Sequence, residues 1–153
     1  MKISECSQLI SERLNPSRLN LSTYISAENM LPNIGGISLA TSLPKQSVTR
    51  FEANDILLSN IRPYFKKIFF ASRGGGCSND VICIRAKSDV VVPKFLFYAL
   101  SSNAFFSYYV SKCKGTKMPR GDKQALLDYQ IKDYSKEEQR HIVDAIRRDY
   151  EIR

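Results

Sequence analysis

The sequence predicts a single α+β domain: a small, twisted, mostly antiparallel sheet with flanking helices and a closing C-terminal helix. Three observations carry this expectation. Short β-rich runs separated by turn residues fill the middle of the chain, from Ile56 to Arg85. After Lys87 the spacing of apolar residues changes from two to about 3.6, the helical repeat. The 153 residues suit one core, since a chain of this size removes roughly two thirds of its unfolded surface from water.

Residues 1 to 20 read as a mixed lead-in, where Ile3, Leu9, Ile10 and Leu14 make a weakly helical pattern that Asn15-Pro16-Ser17 interrupts. Leu19, Leu21, Thr23 and Ile25 alternate with polar neighbours as a half-buried strand does, before Pro32-Asn33 and Gly35-Gly36 impose loop geometry. A polar, flexible stretch then extends to Arg50. Asn54-Asp55 is the turn into Ile56-Leu57-Leu58, a short apolar run suited to the core. Arg62-Pro63 ends that run, because proline cannot donate to a strand ladder. A second strand covers Lys67 to Ala71, Gly74-Gly75-Gly76 reads as a flexible connection, and β-branched residues mark a third strand from Val81 to Arg85.

Pro93 opens a helix striped by Phe95, Leu96, Ala99 and Leu100. Asn103 is placed to cap a second helix, Ala104 to Cys113, with Phe106, Tyr109, Val110 and Cys113 on one face and Gly115 suited to its left-handed end. A basic loop follows. Ser135 to Glu138 is a capping box, and the last helix carries Ile142, Ala145, Ile146 and Tyr150 on one stripe.

Composition is that of a folded chain, 43% hydrophobic and 25% charged. Lys and Arg outnumber Asp and Glu by 23 to 15, a formal charge of +8 that attracts polyanions at long range. Its distribution is uneven. From Lys112 to Lys123 five cations (Lys112, Lys114, Lys117, Arg120 and Lys123) face one acid, Asp122. Gly115, Pro119 and Gly121 shape that segment as a loop, and Thr116 adds a hydroxyl donor suited to phosphate. Arg62, Lys66, Lys67 and Arg73 form a second group with no acid among them and Tyr64 and Phe65 interleaved. Arginine can read guanine and an asparagine such as Asn79, beside Ser78, can read adenine, each good bidentate contact discriminating by about 1–3 kcal/mol. The plainer reading makes Tyr64, Phe69 and Phe70 core and Asn79-Asp80 a turn.

Other classes find little support. Cys6, Cys77, Cys83 and Cys113 show no C-x-x-C spacing and His141 is the single histidine, so no metal site is expected. No apolar run approaches the roughly 20 residues that span a bilayer, and no leader pattern is visible, which predicts a cytoplasmic protein with free thiols and no membrane partner. Gly74-Gly75-Gly76 leads into Cys77 and Ser78 and not into a helix, so no cofactor phosphate site is expected. Neither Asn15-Pro16 nor Asn60-Ile61-Arg62-Pro63 has the register of an amino-methyltransferase motif. Two rival readings are a small metal-dependent phosphodiesterase using Asp55, Asp80 or Asp89 and a protein-interaction module presenting Phe105, Phe106, Tyr108 and Tyr109.

An ordered set of short motifs resembles a known family. Tyr24-Ile25 comes first, then Asp55-Ile56-Leu57-Leu58-Ser59 with Arg62-Pro63, and Ser78-Asn79-Asp80 leading into Val81-Ile82-Cys83-Ile84-Arg85. A helix from Phe95-Leu96 to Leu100-Ser101 follows, then Gly115-Thr116, Leu126 and Glu138-Gln139. Together they resemble one target-recognition domain of the type I restriction-modification specificity subunits. The chain departs from that pattern at Asn54-Asp55, where Gly-Asp is usual, and at Asp133-Tyr134-Ser135-Lys136, where a proline pair is usual.

The resemblance implies sequence-specific recognition of double-stranded DNA, with no catalytic residue and no cofactor in this chain. Separate modification and restriction subunits would supply S-adenosylmethionine-dependent methylation and ATP-driven cleavage. Residues 1–134 would form the recognition domain and residues 135–153 the start of a helical spacer, with Ile142, Ile146 and Tyr150 facing a partner. Lys66, Lys67, Lys114, Lys117 and Lys123 would meet phosphates, and Arg62, Arg73, Asn79 or Arg120 would read bases. One domain corresponds to half a subunit at most, which leaves open a half that pairs as a homodimer or with a second half-subunit, a fragment, and a standalone reader with another partner.

Overall fold

Alternation along two central strands decides the architecture. In β5 (Ile56–Ser59) Ile56 and Leu58 enter one core and Leu57 enters another. In β8 (Val81–Ala86) Ile82 and Ile84 enter the first core while Val81 and Cys83 enter the second. Both faces of this sheet are covered, so its central strands are continuously apolar where a half-exposed strand would alternate. In this computed structural model residues 1–152 are described, with side chains through Asp149.

The first sheet has the order β1-β8-β5-β6, adding β1 (Ser7–Leu9) and β6 (Ile68–Phe70), and all its pairs are antiparallel. The second comprises β2 (Arg13–Leu14), β4 (Val48–Phe51), β7 (Gly75–Cys77) and β3 (Tyr24–Ile25) in that spatial order, with β3 and β7 parallel. On the outer face of the first sheet, α2 (Pro93–Leu100) and α3 (Asn103–Ser111) bury Phe95, Leu96, Leu100, Phe105, Phe106 and Tyr109. Each aromatic so buried contributes about 1.5–3 kcal/mol by area. α1 (Ile3–Cys6) and α4 (Lys123–Asp128) close the edge of this core.

Asp55, fully buried ahead of β5, has both carboxylate oxygens engaged. Arg85 donates through Nε to Oδ1 and through Nη2 to Oδ2, each at 2.8 Å, and the Glu52 amide donates to Oδ2 at 2.8 Å. The candidate metal ligand is therefore a structural anchor, and the phosphodiesterase reading loses its principal acid. The aromatic interaction module fares no better, since Phe105, Phe106 and Tyr109 are buried in the core.

Several expectations are corrected. The α+β class holds, but the strands form two four-stranded sheets where one was expected. The lead-in splits into α1, β1 and β2, because β1 completes the edge of β8 and the Asn15-Pro16 turn begins only after β2. The strand expected from Leu19 shrinks to Tyr24–Ile25; the Asn20 side chain and the Thr23 hydroxyl bond local backbone amides and make a turn instead. Val48–Phe51, read as flexible, is a strand.

The glycine run is a strand because nothing larger fits. A Cβ on Gly75 would lie 2.3 Å from the Thr23 carbonyl and 2.7 Å from the Phe51 ring. Ser102, not Asn103, caps α3, its hydroxyl accepting from Phe105 N at 3.1 Å. Gly115 has the left-handed φ of +94° but sits beyond the helix end, inside the basic loop. α4 was not anticipated; Asp122 caps it by accepting from Gln124 N and Ala125 N.

The capping box of α5 (Lys136–Ile152) is present in both directions, Glu138 N to Ser135 Oγ at 3.1 Å and Ser135 N to Glu138 Oε1 at 3.2 Å. Gln139, wholly buried, fastens this helix to the domain by accepting from Val92 N at 2.7 Å and donating to the Tyr134 carbonyl at 3.0 Å. Ile142 and Val143 rest partly on the domain's own first core, Ile146 is half-buried and Ala145 is exposed. The Tyr150 side chain lies outside the described residues.

Candidate nucleic-acid interface

Three loops are stitched together by backbone hydrogen bonds at one end of β5. The Lys112–Lys123 segment closes on itself through Lys114 N to the Arg120 carbonyl (3.0 Å) and Arg120 N to the Lys114 carbonyl (2.8 Å). It is laid against the chain leaving β5 by Arg62 N to the Pro119 carbonyl (2.8 Å) and Gly121 N to the Asn60 carbonyl (3.0 Å). Asn60 N in turn donates to the Asp80 carbonyl at 2.7 Å. The two basic groups, about fifty residues apart in sequence, thus share one surface with the Ser78–Asp80 loop.

The Arg62 loop is held in a strained form. Arg62 (φ 48°) and Lys66 (φ 53°) are both left-handed and bracket a 3-10 turn over Pro63–Phe65. Asn33 and Ile34, also left-handed at φ 56° and 59°, donate their amides to the Phe65 and Lys66 carbonyls at 2.8 and 2.9 Å. Such conformations cost on the order of 1–3 kcal/mol each and persist where the surroundings over-determine them, as at binding sites. A branched residue such as Ile34 adopts this region only as a true outlier.

Between these loops lies a groove of about 420 Å³, lined by Ala27, Glu28, Ile61, Arg62, Phe65, Lys67, Asp80, Met118 and Arg120. Through Ala27, Glu28 and Asp80 it runs into a second hollow of about 400 Å³ bounded by Tyr24 and the Ser38–Pro44 loop. Tyr24 and Ser78 lead on to a third, of about 300 Å³, under Lys45, Gln46, Ser47 and Asn79. The three hollows adjoin through these shared lining residues as one furrow, with Arg62, Lys67 and Arg120 at the first and Lys45 among the hydroxyl and amide groups of the third.

The anticipated residues divide. Arg62, Lys67 and Arg120 line the groove, and Ser78 and Asn79 line its continuation. Arg120 lies 3.5 Å from Asp80, and Lys114 lies 3.4 Å from Asp122. Thr116 and Lys117 stand exposed on the loop, while Lys123 is the exposed first residue of α4. Lys66 donates to Asn103 Oδ1 (3.0 Å) and Lys67 to the Ala27 carbonyl (2.7 Å), so both are partly spent on holding the loop. Asn79 Oδ1 accepts from Arg13 (3.3 Å), which engages the oxygen that bidentate adenine readout would use. Arg73 does not join the furrow; it donates to the Ser22 carbonyl at 3.1 Å and lines a separate hollow of about 260 Å³.

Sequence reasoning missed Tyr24, Lys45, Gln46, Ser47 and Arg13. Arg13 spreads over the Ser47 carbonyl, the Ser47 and Thr49 hydroxyls and Asn79, fixing that end of the furrow. The hydroxyl-rich composition of residues 38–49 hinted only at Lys45, Gln46 and Ser47. Burial raises the Tyr24 phenol above its usual value, so it presents a neutral hydroxyl. Asp122 is held below the usual carboxylate range, chiefly by the Ala125 amide and less by Lys114, which keeps the cap of α4 charged.

A rigid two-sheet scaffold that gathers basic and polar loops around one furrow defines a recognition domain suited to a polyanion. The chain belongs to the type I restriction modification DNA specificity domain family, whose profile matches residues 15–150. Solved structures share the fold. One is the HsdS subunit from Thermoanaerobacter tengcongensis, with TM-score 0.76 and 24% identity over 99% of this chain and 41% of that one. Another, from a study of complex assembly and conformational transition of the type I R-M system, gives TM-score 0.77 and 22% identity over 99% and 43%. The type I restriction-modification S subunit from M. genitalium gives 0.66 and 17% over 95% and 37%. The chain therefore spans about two fifths of the length of these relatives. No curated protein matches it. Among the described residues no helix is long and apolar enough to cross a membrane.

Proposed function

We propose that this chain is a non-catalytic reader of double-stranded DNA sequence, serving as half of the specificity component of a type I restriction-modification system. The observation that carries the reading is the convergence of the Arg62, Ser78–Asp80 and Lys112–Lys123 loops on one furrow, in a chain of this family. Lys114, Lys117 and Lys123, on the exposed side, meet phosphates. Arg62 and Arg120, which line the groove, carry base readout, with Tyr24 and Gln46 as further polar contacts. Arg73 and Asn79 become supporting residues, since each is engaged within the fold.

Residues 1–134 form the reading unit and α5 begins the spacer, whose Ile142 and Ile146 face a second half-subunit or a modification subunit where the domain's own core leaves them uncovered. Methylation and cleavage fall to those partners, and the system works in the cytoplasm. The test is affinity for mixed-sequence duplex across a salt series, beside a variant carrying Lys114→Ala, Lys117→Ala, Arg120→Ala and Lys123→Ala. Log affinity should fall against log salt by about 0.9 per phosphate contact, and the variant's slope should be shallower by roughly three. A slope near zero, or one the four substitutions leave untouched, overturns the reading.

A further inference from the structure

We propose that the Tyr64–Phe65 tip is a wedge that enters the base stack of bound duplex DNA and opens it at one step. The proposal rests on the DNA reading above and adds a mode of recognition to it. Tyr64 and Phe65 are 47% and 40% exposed, with ring centroids 4.8 Å apart. Met118, 47% exposed, lines the same groove as Phe65. Large apolar groups gathered in water on one surface mark an interaction site.

The tip is also rigid. Its turn is bracketed by two left-handed residues, buried Pro63 roots it, and the Asn33 and Ile34 amides clamp its last two carbonyls. Lys66 is tied to Asn103 at the start of α3. A mobile loop could fold its aromatics away, whereas this backbone holds them out.

The surroundings identify the occupant. Arg62, Lys66 and Lys67 belong to the tip or its flank, and Arg120 lines the groove beside it. Nucleic acid offers phosphates to such cations and flat π faces to the rings in one ligand. In an intact duplex those faces are sealed by stacking, so an aromatic reaches them only by prying a step apart, as apolar wedges of other DNA-bending proteins do.

The experiment uses the full chain and three 30-base-pair mixed-sequence duplexes. One is intact, one carries a central C·C mismatch, and one has 2-aminopurine beside that mismatch. A mismatched step has already lost part of its stacking, so the wedge has less to disrupt there. The wild-type chain should bind the mismatched duplex about tenfold more tightly than the intact one, and 2-aminopurine should brighten as it leaves the stack. Tyr64→Ala with Phe65→Ala should reduce the preference to less than about twofold and abolish the brightening, with the salt slope kept because no charge is lost. Phe65→Leu should keep part of the preference, since a wedge needs bulk. Equal wild-type affinity for both duplexes, or a preference the double substitution leaves intact, overturns the wedge while the DNA reading stands. Wild-type binding that ignores salt overturns both.

Discussion

Tyr109 donates its hydroxyl to Asn60 Oδ1 at 2.8 Å inside the fold, and Gly121 passes so close that a Cβ there would collide with the Tyr109 hydroxyl oxygen. Helix α3, the chain leaving β5 and the basic loop therefore meet at one buried hydrogen bond. Tyr109→Phe leaves Asn60 Oδ1 enclosed without its donor and should cost about 1–3 kcal/mol. Gly121→Ala must displace the tyrosine as well, and should also tilt the Lys114–Arg120 ring. Thermal melts should fall by about 2–4 °C per kcal/mol for a chain of this size. DNA affinity should suffer more from Gly121→Ala than from Tyr109→Phe.

Asp55 and Arg85 pair a buried carboxylate with a guanidinium that is 26% exposed, and Glu52 lies 3.5 Å from the same guanidinium. Arg85→Met strands a carboxylate that is only 1% exposed, and breaking such a pair costs about 3–5 kcal/mol. Asp55→Asn keeps the shape but loses the charge and should cost less. A urea titration that ranks Arg85→Met as the milder change would show that the guanidinium is not what holds the Asp55 carboxylate in place.

The helices were legible because apolar spacing, Pro93 and the Ser135–Glu138 box act locally, and local signals survive without knowledge of the partner. The central strands Ile56–Ser59 and Val81–Ala86 were legible because burial on both faces leaves an apolar run. The second sheet was not. Gly75 is a strand residue because it pairs with Phe51 of β4, with that ring and the Thr23 carbonyl of the turn before β3 leaving no room for a side chain, and Val48–Phe51 follows a polar stretch that hides it until its partners are known. The site divided along the same line: charge density located Arg62 and Arg120, while Tyr24 and Gln46 depend on where distant loops fold. Arg73, with the same charge, lines a separate hollow and is held by the Ser22 carbonyl.

Alkaline pH should destabilise the fold through buried acids that are neutral in the native state. Burial is the leading cause in each case: it pushes the Cys6 thiol up from 9.0 to about 11 and the Cys77 thiol from 9.0 to about 12, and raises Cys83 and Tyr109 further. A group whose folded pKa is raised contributes stability that is complete below the unfolded pKa and lost as pH climbs toward the folded one. The contribution of these thiols and of Tyr109 should stay level below about pH 8 and decline from about pH 9 upward. Replacing Cys77 by alanine should flatten part of that decline, despite a lower starting stability.

Asp80 sits in the groove wall beside Arg120, at 3.5 Å. An exposed pair of this kind adds little to stability, but the acid repels phosphate and restrains the guanidinium. Asp80→Asn preserves the backbone carbonyl that Asn60 uses. It should raise affinity for mixed-sequence DNA by roughly two- to fivefold at low salt, with melting unchanged. Selection from a randomised duplex library should then return a less defined site, because a freed arginine samples more bases. A sharper site from the variant would exclude Asp80 as the residue that orients Arg120.

Gln139 joins the last helix to the rest of the fold, and its two bonds can be separated from its bulk. Methionine fills nearly the same volume but can neither accept from Val92 N nor donate to the Tyr134 carbonyl, the contacts seen at 2.7 and 3.0 Å. Both backbone groups, which are partly buried, would then lose their partner, at up to about 1–3 kcal/mol each. Because Ile142 and Val143 also rest on the core, the helix should loosen at its first turns before the domain melts. Hydrogen exchange should therefore speed up in residues 136–143 of Gln139→Met while β5 and β8 stay protected. Uniform acceleration across both would mean that α5 belongs to the same cooperative unit as the sheets, and a reading domain ending at residue 134 would no longer be tenable.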